Sequence, residues 1–172
     1  MRPRSLRPGA VVIAVVVLVV AVKFFVLDAV VVDGRSMLPR LKPGSVVLVL
    51  RASYGIKNPL GPGYLARWAA PRPGDVVAAA SPRDGRVLVK RVAAVGPAVL
   101  SVAAERLVGP MVDAFLGGER AAALGRTLLV PEGSVFLLGD NQLESVDSRE
   151  YGPVPIDLVY GRVLTPRSRA EM

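Results

Sequence analysis

The sequence predicts a mainly β domain behind one apolar amino-terminal helix, and three observations predict it. Runs rich in valine, leucine and alanine recur at residues 45–51, 75–80, 87–95 and 134–138, the length and composition of buried strands. Gly- and Pro-rich breaks separate them, with 17 Gly and 15 Pro in 172 residues. The remaining signal is an uninterrupted apolar stretch near the amino terminus. It accounts for a hydrophobic fraction of 52% and a mean hydropathy of +0.45, both high for a domain with no membrane-associated part. The length leaves room for one compact core and a small lobe.

Residues 1–9 form a basic tail with Arg2, Arg4 and Arg7 and no acid. Residues 10–27 read as a transmembrane helix, 18 residues or about 27 Å at about 1.5 Å per residue, against a hydrocarbon core of ~30 Å. Lys23 sits near one end and can snorkel to the interface. The three arginines place the amino-terminal side in the cytoplasm and residues 28–172 outside. A cleaved leader would share the basic tail and apolar core. The run is at the upper limit for one, and no small-x-small site precedes Asp28.

Val30, Val31 and Val32 then drive an extended run into Asp33-Gly34-Arg35-Ser36, and Pro39 bends the chain away. A serine after such a break is held outside regular structure, where reactive groups sit, although an ordinary turn serine has the same local sequence. Residues 41–44, with Lys42, form a turn before strand 45–51. Residues 52–73 read as a loop, and its Trp68, the one tryptophan, suits either a membrane interface or plain packing. Strand 75–80 passes through a hairpin-type connection at 81–86 into strand 87–95. There the period of two puts Leu88, Lys90 and Val92 on one face and Val87, Val89 and Arg91 on the other. Residues 96–133 read as a variable lobe, with a strand at 99–102, a short helix at 112–124 broken at Gly117 and Gly118, and a turn at 131–133. Strand 134–138 ends in Gly139-Asp140-Asn141, a polar loop runs to Gly152, and an apolar stretch closes the pattern at 156–164.

Two absences prune the chemistry. With no His and no Cys, a Ser-His-Asp triad, a cysteine nucleophile, a Cys/His zinc site and a disulfide framework are all excluded. If Ser36 is a nucleophile, its base must be Lys, Asp, Glu, Tyr or a terminal amine. Of four lysines, Lys23 lies at the membrane boundary and Lys42 and Lys57 lie in Pro/Gly-rich turns, where water keeps them charged. Lys90 is flanked by aliphatic residues, and burial there can lower its pKa toward the 7 to 8 that a base needs. A strand lysine is otherwise an exposed, charged edge residue. In the loop 139–152, Asp147 and Arg149 can pair to fix its shape, and a serine hydroxyl held there could orient a neutral amine. The net charge of +8 comes from arginines scattered along the chain, which suits a solvated surface or anionic lipid and gives no nucleic-acid patch.

Taken together, GRSMLPRL at Ser36, VKRVAAVGP at Lys90, GDNQLESVDSREYG at Asp147 and Arg149, the strand PGDVVAA and the loop YGIKNP resemble bacterial signal peptidase I, the membrane-anchored Ser/Lys leader peptidases. The motifs stand in that family's order, from the apolar segment to about Val154. The resemblance implies an antiparallel β-sheet catalytic domain outside the cytoplasmic membrane, single-pass and monomeric, with no cofactor or metal. Ser36 would be the nucleophile and Lys90 the general base, with Ser145 orienting the lysine and Asp147 and Arg149 bracing the loop. The Ser36 N–H would serve the oxyanion, and Gly34 stands where some members place a second donor. Val32 and Met37 would line a small pocket before the scissile bond. The substrates implied are preproteins bearing signal peptides, cut after a small-x-small sequence through an acyl-enzyme, beside membrane lipid. Arg40 and Gln142 depart from the usual residues, and 96–133 matches the family poorly. The alternative is a membrane-anchored β-domain that binds exported peptides without cutting them. A self-cleaving repressor-type Ser/Lys protease would need a DNA-binding amino terminus, against which the apolar segment argues.

Overall fold

The computed structural model describes residues 8–61, 63–110, 112–118, 121–122 and 125–164. Helix α1 runs Pro8–Phe25, and Leu27 already belongs to strand β1 (Leu27–Val31). The helix therefore starts and stops two residues earlier than the apolar run suggests. Its last members are drawn into antiparallel pairing with β2 (Val46–Leu50), from Leu27 opposite Leu50 to Val31 opposite Val46. Among the described residues no helix is long and apolar enough to cross a membrane. The basic tail with Arg2, Arg4 and Arg7 and the side chain of Lys23 lie outside the described residues.

The remaining strands are β3 (Gly55–Lys57), β4 (Tyr64–Arg67), β5 (Val76–Ala80), β6 (Val87–Val95), β7 (Ala98–Ala103), β8 (Arg106–Gly109), β9 (Val112–Phe115), β10 (Thr127–Val130), β11 (Ser134–Leu138), β12 (Val154–Pro155) and β13 (Val159–Leu164). Five of these join β1 and β2 in the main sheet, in the order β1-β2-β13-β5-β6-β11-β12, and each pairing is antiparallel. The inner strand β5 reads as an unbroken apolar run because both of its faces are covered. Every residue of β5 is buried, and its side chains alternate between two cores. Val76 and Ala78 pack with Val32, Met37, Val49 and Val89, whereas Val77 and Ala79 pack with Val135, Leu137 and Val159. β6 keeps the expected alternation, Val89 joining the first cluster and Leu88 and Val92 the second.

The structure corrects the sequence reading in two places. Residues 52–73 are not all loop: β3 and β4 form a short hairpin, pinned where the Tyr64 hydroxyl donates to the Val159 carbonyl at 2.8 Å. The hairpin needs Gly55, because a Cβ there would lie 2.8 Å from the Tyr64 ring and 2.9 Å from Arg67 Cα. Trp68 follows it and is 59% exposed, so it does not serve as core packing. In the lobe, Val112–Phe115 is a strand rather than the start of a helix, since Val112 and Ala114 are buried while Asp113 and Phe115 face out. Part of the expected helix at 112–124, namely 119–120 and 123–124, lies outside the described residues. The lobe is a four-stranded antiparallel sheet, β10-β7-β8-β9. It joins the main sheet through β11, whose Phe136 and Leu138 pack with Leu100, Leu107, Ala114 and Val130 in the lobe core.

Candidate active site

Ser36 is delivered by the end of β1. Val32 still exchanges hydrogen bonds with the next segment, donating to Ser45 O at 2.8 Å and accepting from Gly44 N at 2.9 Å, after which the chain leaves the sheet. Gly34 takes a left-handed φ of +79°, which an L-residue adopts only with strain, and so turns the chain. Turn bonds from Leu38 N to Arg35 O at 3.1 Å and from Leu41 N to Met37 O at 2.9 Å fold the segment back, burying Met37. Ser36 stays half-exposed.

It opens onto a groove of about 340 Å³ lined by Val30, Val32, Ser36, Met37, Val89 and Lys90, among others. The structure thus brings together Ser36, Lys90, Val32 and Met37, while Gly34 shapes the turn and does not line the groove. Both flanking strands offer spare backbone. β1 is the outermost strand of the sheet, and β6 pairs with β11 only from Arg91 onward, which leaves residues 87–90 unpaired on that side.

Lys90 is 4% exposed. Burial among apolar neighbours is the main cause that pushes its pKa down to about 8, from 10.5; the Asp147 and Glu150 carboxylates pull upward and Arg149 pulls downward. Its Nζ donates to Ser145 Oγ at 2.8 Å. Among the described residues no hydrogen bond joins Lys90 to the Ser36 hydroxyl, so in this state Ser145 is what fixes the amine.

Ser145 is held by a brace behind the groove. Helix α2 (Ser148–Tyr151) begins at Asp147, whose carboxylate caps it by accepting from Arg149 N at 3.2 Å. The same carboxylate accepts from Arg149 Nε at 2.8 Å, Arg149 Nη2 at 2.9 Å and Gly139 N at 3.1 Å. Burial pushes the Asp147 carboxyl upward. Hydrogen bonds from Arg149, Gly139 and Ser145 outweigh it and hold the group below the ordinary carboxylate range. Ser148 contributes too, its Oγ accepting from Leu137 N at 2.9 Å and tying the loop to β11.

Sequence reasoning missed two members of this arrangement. Asn141 N donates to Ser36 O at 2.9 Å and its side chain to Arg35 O at 3.2 Å, so the loop holds the serine turn as well as the lysine. Gly139 is the point of closest approach: a Cβ there would stand 2.6 Å from both Ser145 Cβ and Ser36 O. The Gly-Asp-Asn run was the signal available, but only the packed structure says which side needs the space. Gly139→Ala is expected to push the serine turn and the loop apart, costing about 1–3 kcal/mol by overpacking and at least about tenfold of any activity that depends on the two. Urea melts and turnover of the same preparation check both; a variant matching the parent in each would refute the close approach.

A family model described as signal peptidase, peptidase S26, matches residues 6–167. Mitochondrial ATP-independent inner membrane protease subunit 1a of Arabidopsis thaliana is 36% identical over 135 residues, covering 77% of this chain and 66% of that protein. Signal peptidase I of Bacillus caldolyticus is 31% identical over 159 residues, covering 86% of this chain and 83% of that one. The match spans just under two thirds of the plant proteins, 66% of subunit 1a and 64% of subunit 1b. A crystal structure of signal peptidase I from Enterococcus faecalis aligns at 29% identity with a TM-score of 0.40, covering 55% of this chain and 97% of that one.

Proposed function

The chain belongs to the signal peptidase family, peptidase S26, and we propose that it is a serine endopeptidase that removes amino-terminal signal peptides from exported preproteins. The observation that carries this reading is a buried lysine, depressed to about 8 and hydrogen-bonded to Ser145, on the same groove as a serine displayed at a turn. An ordinary lysine at 10.5 is neutral in about one molecule in 3,000 at pH 7, whereas one at 8 is neutral in about a tenth of them. That difference of about 300-fold is what makes Lys90 usable as a base.

In the proposed reaction a substrate strand adds between residues 30–33, at the end of β1 and just beyond it, and 87–90 of β6, taking up their spare backbone groups. Val32 and Met37 line the small pocket before the scissile bond. Ser36 Oγ attacks the carbonyl carbon as its proton passes to Lys90 Nζ, and the developing oxyanion takes a hydrogen bond from the Ser36 N–H. When the tetrahedral intermediate collapses, the departing amine takes that proton from Lys90, leaving an acyl-enzyme on Ser36. Lys90 then deprotonates the water that releases the acyl group. Ser145 aims the amine, and Asp147 with Arg149 holds Ser145. We place α1 as a single-pass anchor, with the amino terminus inside and the catalytic domain outside, where exported substrates and lipid are met.

Because Lys90 must be neutral, kcat/KM is expected to rise with pH and level off above about 8. The decisive experiment incubates the detergent-solubilised full chain, wild type and Ser36→Ala, with a precursor carrying an Ala-x-Ala site, and maps any new amino terminus by mass spectrometry. Cleavage directly after that site by the wild type alone is expected. Intact precursor with both proteins, beside a working control peptidase, would abandon the enzyme for a peptide-binding β-domain.

A further inference from the structure

The lobe has an unpaired sheet edge, and one side chain of the catalytic loop occupies it. β9 is the terminal strand in the order β10-β7-β8-β9. Phe115 N donates to Gln142 Oε1 at 3.1 Å, and Gln142 Nε2 donates to Asp113 O at 3.2 Å. One carboxamide thus supplies the donor and acceptor that a neighbouring strand would bring to that edge. Arg149 completes the join: its Nη1 donates to Phe115 O at 2.8 Å and its Nη2 to Gln142 O at 2.8 Å and Ser145 O at 3.3 Å. The chain of contacts runs from the lobe edge through Gln142 and Arg149 to the loop that carries Ser145, and from Ser145 to Lys90.

We infer that the lobe is a buttress for the active site: through Gln142 and the edge of β9 it fixes the loop that holds Lys90 against Ser145, which makes Gln142 a positioning residue for the base. The inference rests on the reading of Lys90 as that base. Gln142 does not reach the substrate groove; it lines a separate cavity of about 540 Å³ with Arg40, Arg91, Asp113, Gly139 and Asp140. Both positions that depart from the family pattern, Arg40 and Gln142, therefore lie behind the site, between it and the lobe.

The readout follows from what surrounds Lys90. Asp147 and Glu150 favour its charged form and Arg149 disfavours it, while Asp33, Arg83, Asp84 and Arg86 line the groove beyond. If the Gln142 clasp is lost, the loop loosens, water reaches the amine and Arg149 gains freedom to move away. Each change raises the proton affinity of Lys90. With only four lysines in the chain, Lys90 can be followed by nitrogen-15 NMR in the detergent-solubilised full chain and assigned by its loss in Lys90→Met.

The titration is run in a Ser36→Ala background with Gln142→Met, which removes both bonds at similar volume, and with Gln142→Asn, which is too short to reach β9. In both, the Lys90 midpoint is expected to rise by about one unit. In the Ser36 chain, kcat at pH 7 falls about tenfold, the acid limb of its pH profile shifts by the same amount, and KM stays within about twofold. If one variant does not fold, the other decides. An unchanged midpoint, or a rise in KM with an unchanged acid limb, overturns the inference and leaves Gln142 as ordinary lobe packing. The NMR titration reads Lys90 whether or not the chain cleaves preproteins, so a failure of the peptidase reading is seen separately from a failure of the buttress.

Discussion

Lys90→Met is expected to lower precursor cleavage by about a thousandfold or more at pH 7 to 8 while leaving the protein folded and no less stable. A positioned general base contributes about 10² to 10⁴ in rate, and the chain has no histidine, while among the described residues Lys90 is the one lysine that lines the groove. The stability half of the expectation has its own sign. The folded pKa of about 8 lies below the unfolded 10.5, so folding disfavours the protonated amine. That penalty is fully present below about pH 8 and disappears as the pH rises to about 10.5; at about 1.4 kcal/mol per unit it is on the order of 3 kcal/mol. Methionine keeps the stem and carries no charge to desolvate. The variant should therefore melt at or above the wild-type temperature at pH 7, with the advantage fading toward pH 10.5. Turnover of an Ala-x-Ala precursor and melts at the two pH values test it together. Retention of more than about a tenth of wild-type activity would remove Lys90 from the reaction.

What could be read ahead of the structure follows a physical divide. β6 and β11 were legible because they are largely buried, so Val87–Val95, broken only by Lys90 and Arg91, and Ser134–Leu138 carry apolar runs that need no partner to be recognised. Ser36 and Lys90 could be singled out as candidates for a chemical reason: a chain without His or Cys and with four lysines leaves few ways to activate a serine, and the fold puts both on one groove. Asp147 and Arg149 were legible because their contact is local, a cap and an ion pair two residues apart. β9 was not. Its four residues alternate, but they open an alanine- and leucine-rich stretch whose composition favours helix, and only pairing with β8 decides the matter. β3 and β4 were hidden because three- and four-residue strands between Gly and Pro leave no period to detect. The Gln142 clasp joins groups 27 and 29 residues apart, and nothing in the local sequence of either segment announces it.

Arg149→Met should cost about 3–5 kcal/mol of stability and at least about a hundredfold of cleavage, the largest structural effect in the site. The side chains of Asp147 and Arg149 are 0% and 4% exposed, so neither charge has water to fall back on. Removing the guanidinium leaves the carboxylate with no charged partner, only the backbone N–H groups of Gly139 and Arg149 and the Ser145 side chain, and it also frees Phe115 O, Gln142 O and Ser145 O. Breaking one partner of a buried pair costs more than the pair contributes, because an uncompensated charge remains. Asp147→Asn with Arg149→Met removes both charges and should be less damaging than the two single changes added together, a coupling of about 1–3 kcal/mol. The pH dependence carries the same signature. In the wild type the Asp147 carboxyl is held below its unfolded value, so its contribution is present above about pH 4 and is lost as the pH falls through the folded pKa. Without Arg149 the buried, unpaired carboxyl rises and protonation relieves its desolvation, so the stability deficit of Arg149→Met is largest at neutral pH and narrows as the pH falls, a gain that the double variant, with no carboxyl to protonate, lacks. Urea melts of the four proteins from pH 3 to 8 measure both quantities. Strict additivity with an Arg149→Met deficit that does not change with pH would mean that the loop is held by its backbone contacts alone and that the buried pair does not brace Ser145.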